Sequence, residues 1–116
     1  MMLRFGHSLD TLVRRAEKMM VVRKADLRAG DWVVVKTFNS VYRMRVEGDD
    51  FYQVTGGWFD QNGQTPERLK IVGCTWGGSI VKIDIIAARG LCLEFSNRVV
   101  TSPVQKIWRI SVAQQN

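Results

Sequence analysis

Trp32-Val33-Val34-Val35-Lys36-Thr37 and, three residues on, Val41-Tyr42-Arg43-Met44-Arg45-Val46 are the two stretches on which the fold turns. The first is rich in β-branched residues, which pack well on a pleated surface and are stiff in a helix. The second alternates, with Tyr42, Met44 and Val46 set against Arg43 and Arg45. Period-2 alternation puts one set on a buried face and the arginines on the opposite one, the pattern of a half-buried strand. Leu27-Arg28-Ala29-Gly30-Asp31, just before, reads as a turn. Trp32 reads as a core or rim residue of its strand, as does Trp108.

Downstream, the strand signals continue. Glu47-Gly48-Asp49-Asp50 supplies a turn, and Phe51 to Phe59 extends the sheet with Tyr52 and Val54 on one face. Asn62-Gly63 predicts a type I′ hairpin, because both residues tolerate positive φ. Strands are expected at 68–75, 80–88, 91–95, 99–102 and 104–112, with turns at Arg89-Gly90 and Asn97-Arg98. Upstream, Leu9, Leu12, Val13, Ala16, Met19 and Met20 recur at helical spacing, which predicts an amphipathic helix over 8–22 capped by Ser8. The expected architecture is one mostly-β domain over 1–116. It comprises an SH3-like or related barrel or roll of about seven strands over 27–112, with the helix plugging or flanking it. The entry Gly30-Asp31-Trp32-Val33-Val34-Val35 is similar to the first strand of SH3-like barrels.

Composition bounds the function. The chain has 116 residues, 46% of them hydrophobic, and its longest apolar runs are four residues, so no segment is a membrane span. The start, Met1-Met2-Leu3-Arg4-Phe5-Gly6-His7, lacks the apolar region of a secretory signal, and a cytoplasmic location is expected. Seven bases and three acids fall in residues 1–28, against ten and eight in the remainder, so the +6 charge is concentrated at the N-terminus. Arg14, Arg15, Lys18, Arg23 and Lys24 are therefore candidates for phosphate contacts with nucleic acid; the competing reading is a solvated helix face.

Little points to catalysis. His7 is the sole histidine, and nothing in the spacing brings it to Cys74 or Cys92. No C-x-x-C or H-x₃-H pair exists, so no metal site and no cofactor are expected. Asp60, Asp84 and Glu94 could supply a carboxylate pair, but Asp84 and Glu94 alternate with apolar neighbours and read as a salt-bridged outer face instead. Gly73-Cys74-Thr75-Trp76-Gly77-Gly78-Ser79 lacks the Lys-Ser/Thr ending of a phosphate-binding loop. No catalytic residue is assigned, and the two cysteines are expected to be reduced and buried. Trp58 and Trp76, each beside a glycine pair, are the candidate ligand- or partner-binding residues, since an aromatic ring next to glycine can lie open for stacking. The alternative is that both fill the interior, with the glycines marking bulges or bends.

Thr55-Gly56-Gly57-Trp58-Phe59-Asp60, Gly73 to Ser79 and Asn97-Arg98-Val99-Val100-Thr101-Ser102-Pro103 together resemble small bacterial β-proteins of the orphan, integron-cassette-borne kind. The resemblance implies a bacterial cytoplasmic protein that oligomerises, and supplies no activity or site residue. The expected function is a non-enzymatic module that self-associates or binds a small ligand. Nucleic-acid binding through the basic N-terminal helix and an exposed tryptophan is the first alternative, and an enzyme the second. Self-association as a homo-oligomer is expected because runs such as Val33 to Val35 have apolar residues on both faces of a strand, more than one small interior can bury.

Overall fold

The computed structural model describes residues 18–76 and 80–115. Its strands are β1 (Lys18–Met19), β2 (Val21–Arg23), β3 (Trp32–Thr37), β4 (Val41–Gly48), β5 (Phe51–Gly56), β6 (Glu67–Trp76), β7 (Ile80–Lys82), β8 (Ile85–Ala88), β9 (Cys92–Phe95) and β10 (Val104–Ile110). One short helix, α1 (Gly57–Gln61), follows β5, and 3₁₀ turns occupy Lys24–Asp26 and Val112–Gln115. The main antiparallel sheet runs β1-β10-β3-β4-β5-β6-β7, with β9 also paired to β6; β2 and β8 form a separate ribbon.

The core lies on one face of this sheet. Val33 and Val35 of β3, Tyr42, Met44 and Val46 of β4, and Tyr52 and Val54 of β5 pack with Ile86 and Ala87 of β8, Leu93 and Phe95 of β9, and Phe59 of α1. Phe59 meets Phe95 edge-to-face at 5.0 Å, which closes the end of the core beneath α1. The opposite face is partly covered too. Trp32, Val34 and Ile110 are buried but belong to that second face, so β3 is shielded on both sides.

Several expectations are corrected. Of the helix expected over 8–22, residues 8–17 lie outside the described residues, and 18–22 is extended rather than helical. Lys18 and Met19 pair with Trp108 and Ile107, while Val21 and Val22 pair with Ala88 and Ala87. Sheet partners and the burial of Val22 outweigh the helical spacing there. The barrel does not close: on either side of Met20 the chain changes partner, from β10 through β1 to β8 through β2, and the β2–β8 ribbon stays apart from the main sheet. The result is an open roll of more and shorter strands than expected.

The strand expected over 80–88 breaks at Ile83-Asp84, because Ile83 turns outward and is 68% exposed. Residues 99–102 supply one bridge, Glu94 to Val100, rather than a strand. Asn62-Gly63 ends α1 instead of making a hairpin: Asn62 N–H donates to the Trp58 carbonyl at 3.0 Å and Gln64 N–H to that of Phe59 at 2.9 Å. Gly63, at φ +67°, satisfies the helix C-terminus, the other common use of an Asn-Gly pair.

Candidate functional site

Antiparallel partners share a face, so the register of β10-β3-β4-β5-β6 draws one row across the outer side of the sheet. That row is Ile110, Trp32, Arg45, Gln53 and Arg68. Where β3, β4 and β5 meet, Trp32, Arg45, Gln53, Thr55 and Pro66 line a cavity of about 220 Å³. Pro66 reaches it from the segment that returns α1 to β6, across a cis Thr65-Pro66 peptide.

The indole Nε1–H of Trp32 is buried without an acceptor, and so is the Nε–H of the Arg45 guanidinium directly opposite. Trp32 is only 7% exposed. A buried donor left unpaired costs about 1–3 kcal/mol, and Thr75 Oγ1 and Arg109 Nε are in the same condition elsewhere among the described residues. The nearby carboxylate is already engaged. Glu47 accepts from Gln53 Nε2 and from Arg68 Nε, both at 2.7 Å. The Gln53 amide, and after it the Arg68 guanidinium, hold Glu47 below the usual carboxylate range. Arg68 in turn lies over the Phe51 ring at 3.8 Å, with Lys70 at 5.1 Å. No described carboxylate forms an ion pair with Arg45.

A second, wider recess of about 650 Å³ lies beside Asp31, between Arg28, Arg109 and Val112. Its carboxylate is spoken for. Asp31 accepts from the Arg28 and Val112 amides at 3.0 and 3.1 Å and from Arg109 Nη2 at 3.4 Å. Arg109 also donates to the Asp26 carbonyl at 2.7 Å. This buried cluster ties the β10 end to the turn before β3 and is structural in character.

The residues singled out in the sequence do not assemble into one site. Trp58 is half-buried, packs against the core and meets Phe59 edge-to-face at 5.4 Å. Trp76 is 63% exposed and ends β6. Trp58 follows the end of β5 that pairs with Glu67, the first residue of β6, so the two tryptophans lie at opposite ends of that strand. Arg14, Arg15 and His7 lie outside the described residues. Lys18 sits in β1, Arg23 faces Asp84 at 3.8 Å, and Lys24 Nζ donates to the Ile71 and Val72 carbonyls at 2.7 and 3.3 Å. Asp60, Asp84 and Glu94 are on separate elements, and no cluster of metal-ligating side chains occurs among the described residues.

Cys74 is buried and Cys92 half-buried, both as free thiols. Cys74 stands opposite Leu93, and Cys92 opposite Thr75, so the two thiols point to opposite faces of their ladder. No helix among the described residues is long and apolar enough to cross a membrane.

Trp32, Arg45, Gln53, Thr55 and Pro66 were not singled out from the sequence. The alternation in β4 did put Arg45 on the outer face, but which side chains flank it depends on register across three strands. No family model, no curated protein and no solved structure matches the chain.

Proposed function

We propose that this protein is a non-enzymatic binding module that takes a small ligand in the Trp32–Arg45 cavity. The observation that carries the reading is the cavity of about 220 Å³ itself, which Trp32, Arg45, Gln53, Thr55 and Pro66 line with both apolar and polar side chains. The site lies on paired strands rather than loops, which suits binding with little reorganisation.

The nucleic-acid reading has less support, since Arg23 and Lys24 are held by Asp84 and by backbone carbonyls rather than displayed on one helix face. Self-association also loses its main ground, because the second face of β3 is covered within a single chain. The test is protein-observed NMR on the Trp32 indole N–H. Small carbonyl compounds at millimolar concentration should shift that resonance saturably, and the shift should be absent from the other three indoles. If the Trp32 signal does not respond to any of them, the binding reading fails.

A further inference from the structure

We infer that the outer face of the main sheet binds an extended single strand of nucleic acid, along a band of cations that crosses it from β10 to β6. The contacts of Arg23 and Lys24 that weaken the nucleic-acid reading of the N-terminal segment leave the sheet itself open to such a partner. Residues directly opposite on antiparallel strands share a face, so the pairing gives the band row by row. Two residues along β3 from Val34, and so on the same face, Lys36 stands directly opposite Lys106 of β10. The next row runs Lys18, Trp108, Val34 and Arg43. Beyond it Arg45 and Arg68 flank Gln53, and Lys70 stands opposite Phe51.

Every row carries a base. Among the described residues, Glu47 is the one carboxylate on these strands that shares the face, and it is held by Gln53 and Arg68 and under the Arg45 charge. Asp60 of α1 lies within the field of Arg43. Lys18, Lys36, Lys70 and Lys106 are exposed, and none makes an ion pair with a described carboxylate. Like charges directly opposite on a ladder repel. The Lys36–Lys106 pair is therefore a cost that the sheet carries alone and that an anion lying across both strands removes.

The interleaved rings choose among polyanions. Trp108 sits between Lys18 and Val34, and Phe51 has the Arg68 guanidinium 3.8 Å over its ring; both rings are half-buried, with part of each at the surface. Cations for the phosphates and rings for the bases are the two elements of a single-strand platform. A duplex keeps its bases stacked on one another, an acidic peptide brings carboxylates without bases, and an anionic lipid surface has no flat rings to offer. From Lys36 on β3 to Lys70 on β6 the band crosses three strand spacings and three side-chain repeats, roughly 25 Å. That length takes about four nucleotides, the short end of the range for single-strand binders.

The probe is a fluorescein-labelled oligothymidylate of about twelve nucleotides, titrated with the intact protein and followed by anisotropy. With about four phosphates held, affinity should fall about 50-fold between about 50 and about 200 mM salt. Lys36→Gln combined with Lys106→Gln should weaken binding at least about tenfold and flatten the logarithmic salt slope by about 1.4, without lowering the melting temperature. Arg89→Gln combined with Arg98→Gln takes the same charge from two exposed turns off this face and should change affinity by less than about twofold. Phe51→Leu should weaken binding about fivefold and leave the salt slope unchanged. None of these substitutions touches the lining of the Trp32–Arg45 cavity, so small-ligand binding there is a separate readout. Equal effects of the two double variants would overturn the assignment of the face, as would no binding of the oligonucleotide at about 50 mM salt. Tighter binding of the same sequence as a duplex, of polyglutamate or of phosphatidylserine vesicles would overturn the assignment of the partner.

Discussion

Asp31 shows how one side chain fixes a neighbourhood. Its carboxylate is 2% exposed and satisfies two backbone amides and a guanidinium that come from both sides of the β3–β10 pair. Asp31→Ala would leave the two amides without their acceptor and Arg109 with the Asp26 carbonyl but no countercharge, a loss of about 3 kcal/mol in denaturant melts. Asp84→Ala, at an exposed pair 3.8 Å from Arg23, should cost less than about 0.5 kcal/mol. Buried thiols give a second handle. Burial pushes Cys74 up to about 11 from 9.0, and burial, helped by the Asp50 charge, pushes Tyr52 up to about 12 from 10.0. Both groups ionise in the unfolded chain before they do so in the folded one. The unfolded state therefore binds fewer protons in this window, and stability falls as pH rises, first from about 9 to 11 and then onward to about 12. Melts at about pH 8 and about pH 10.5 should show that loss, and Cys74→Ala should reduce it. Equal losses in the two proteins would mean that the thiol is not the alkaline group.

At the scale of elements, two glycines act through close approach of backbone, Gly56 beside Trp58 and Gly73 within β6. Gly56, at φ +97°, ends β5 where a Cβ would collide with the Val41 carbonyl of β4. Gly73, at φ +151°, lets β6 bend against the Lys82 carbonyl in the same way. Gly63 shares the positive φ but has open space around it. Gly63→Ala should cost about 1–2 kcal/mol from conformation alone, whereas Gly56→Ala adds a clash with main chain that cannot move without breaking the β4–β5 ladder. Thermal melts should therefore place Gly56→Ala well below Gly63→Ala. These positions also show what was legible in the sequence. The limits of β3 follow from its β-branched run and the faces of β4 from its alternation, because both are set by local chemistry. Lys18 to Val22 was misread because helical spacing and extended pairing compete there, and only partners more than sixty residues away decide between them. Asn62-Gly63 carries a positive φ in either setting, so the dipeptide alone does not separate a hairpin from a helix end.

For the whole molecule, the surplus of apolar residues is the question that links fold to assembly. A chain of this size buries only about two-thirds of its unfolded surface, so runs with apolar residues on both faces suggest a partner subunit. Here Val34 is 2% exposed and Trp32 7% without any second copy, and both lie on the face away from the main core. Among the described residues, the large apolar side chains that remain exposed are Met20, Phe38, Trp76, Ile83, Val100 and Val112. They fall on six different segments, and no ladder pairs any two of them. Scattered single residues are ordinary on a monomer surface, whereas a stable symmetric interface needs a contiguous patch of about 800 Å² per partner. Light scattering coupled to size exclusion should therefore return the 13.3 kDa monomer mass at micromolar concentration. A dimer mass would reinstate self-association. If Trp76→Ser then restored the monomer, the exposed end of β6 would be the interface.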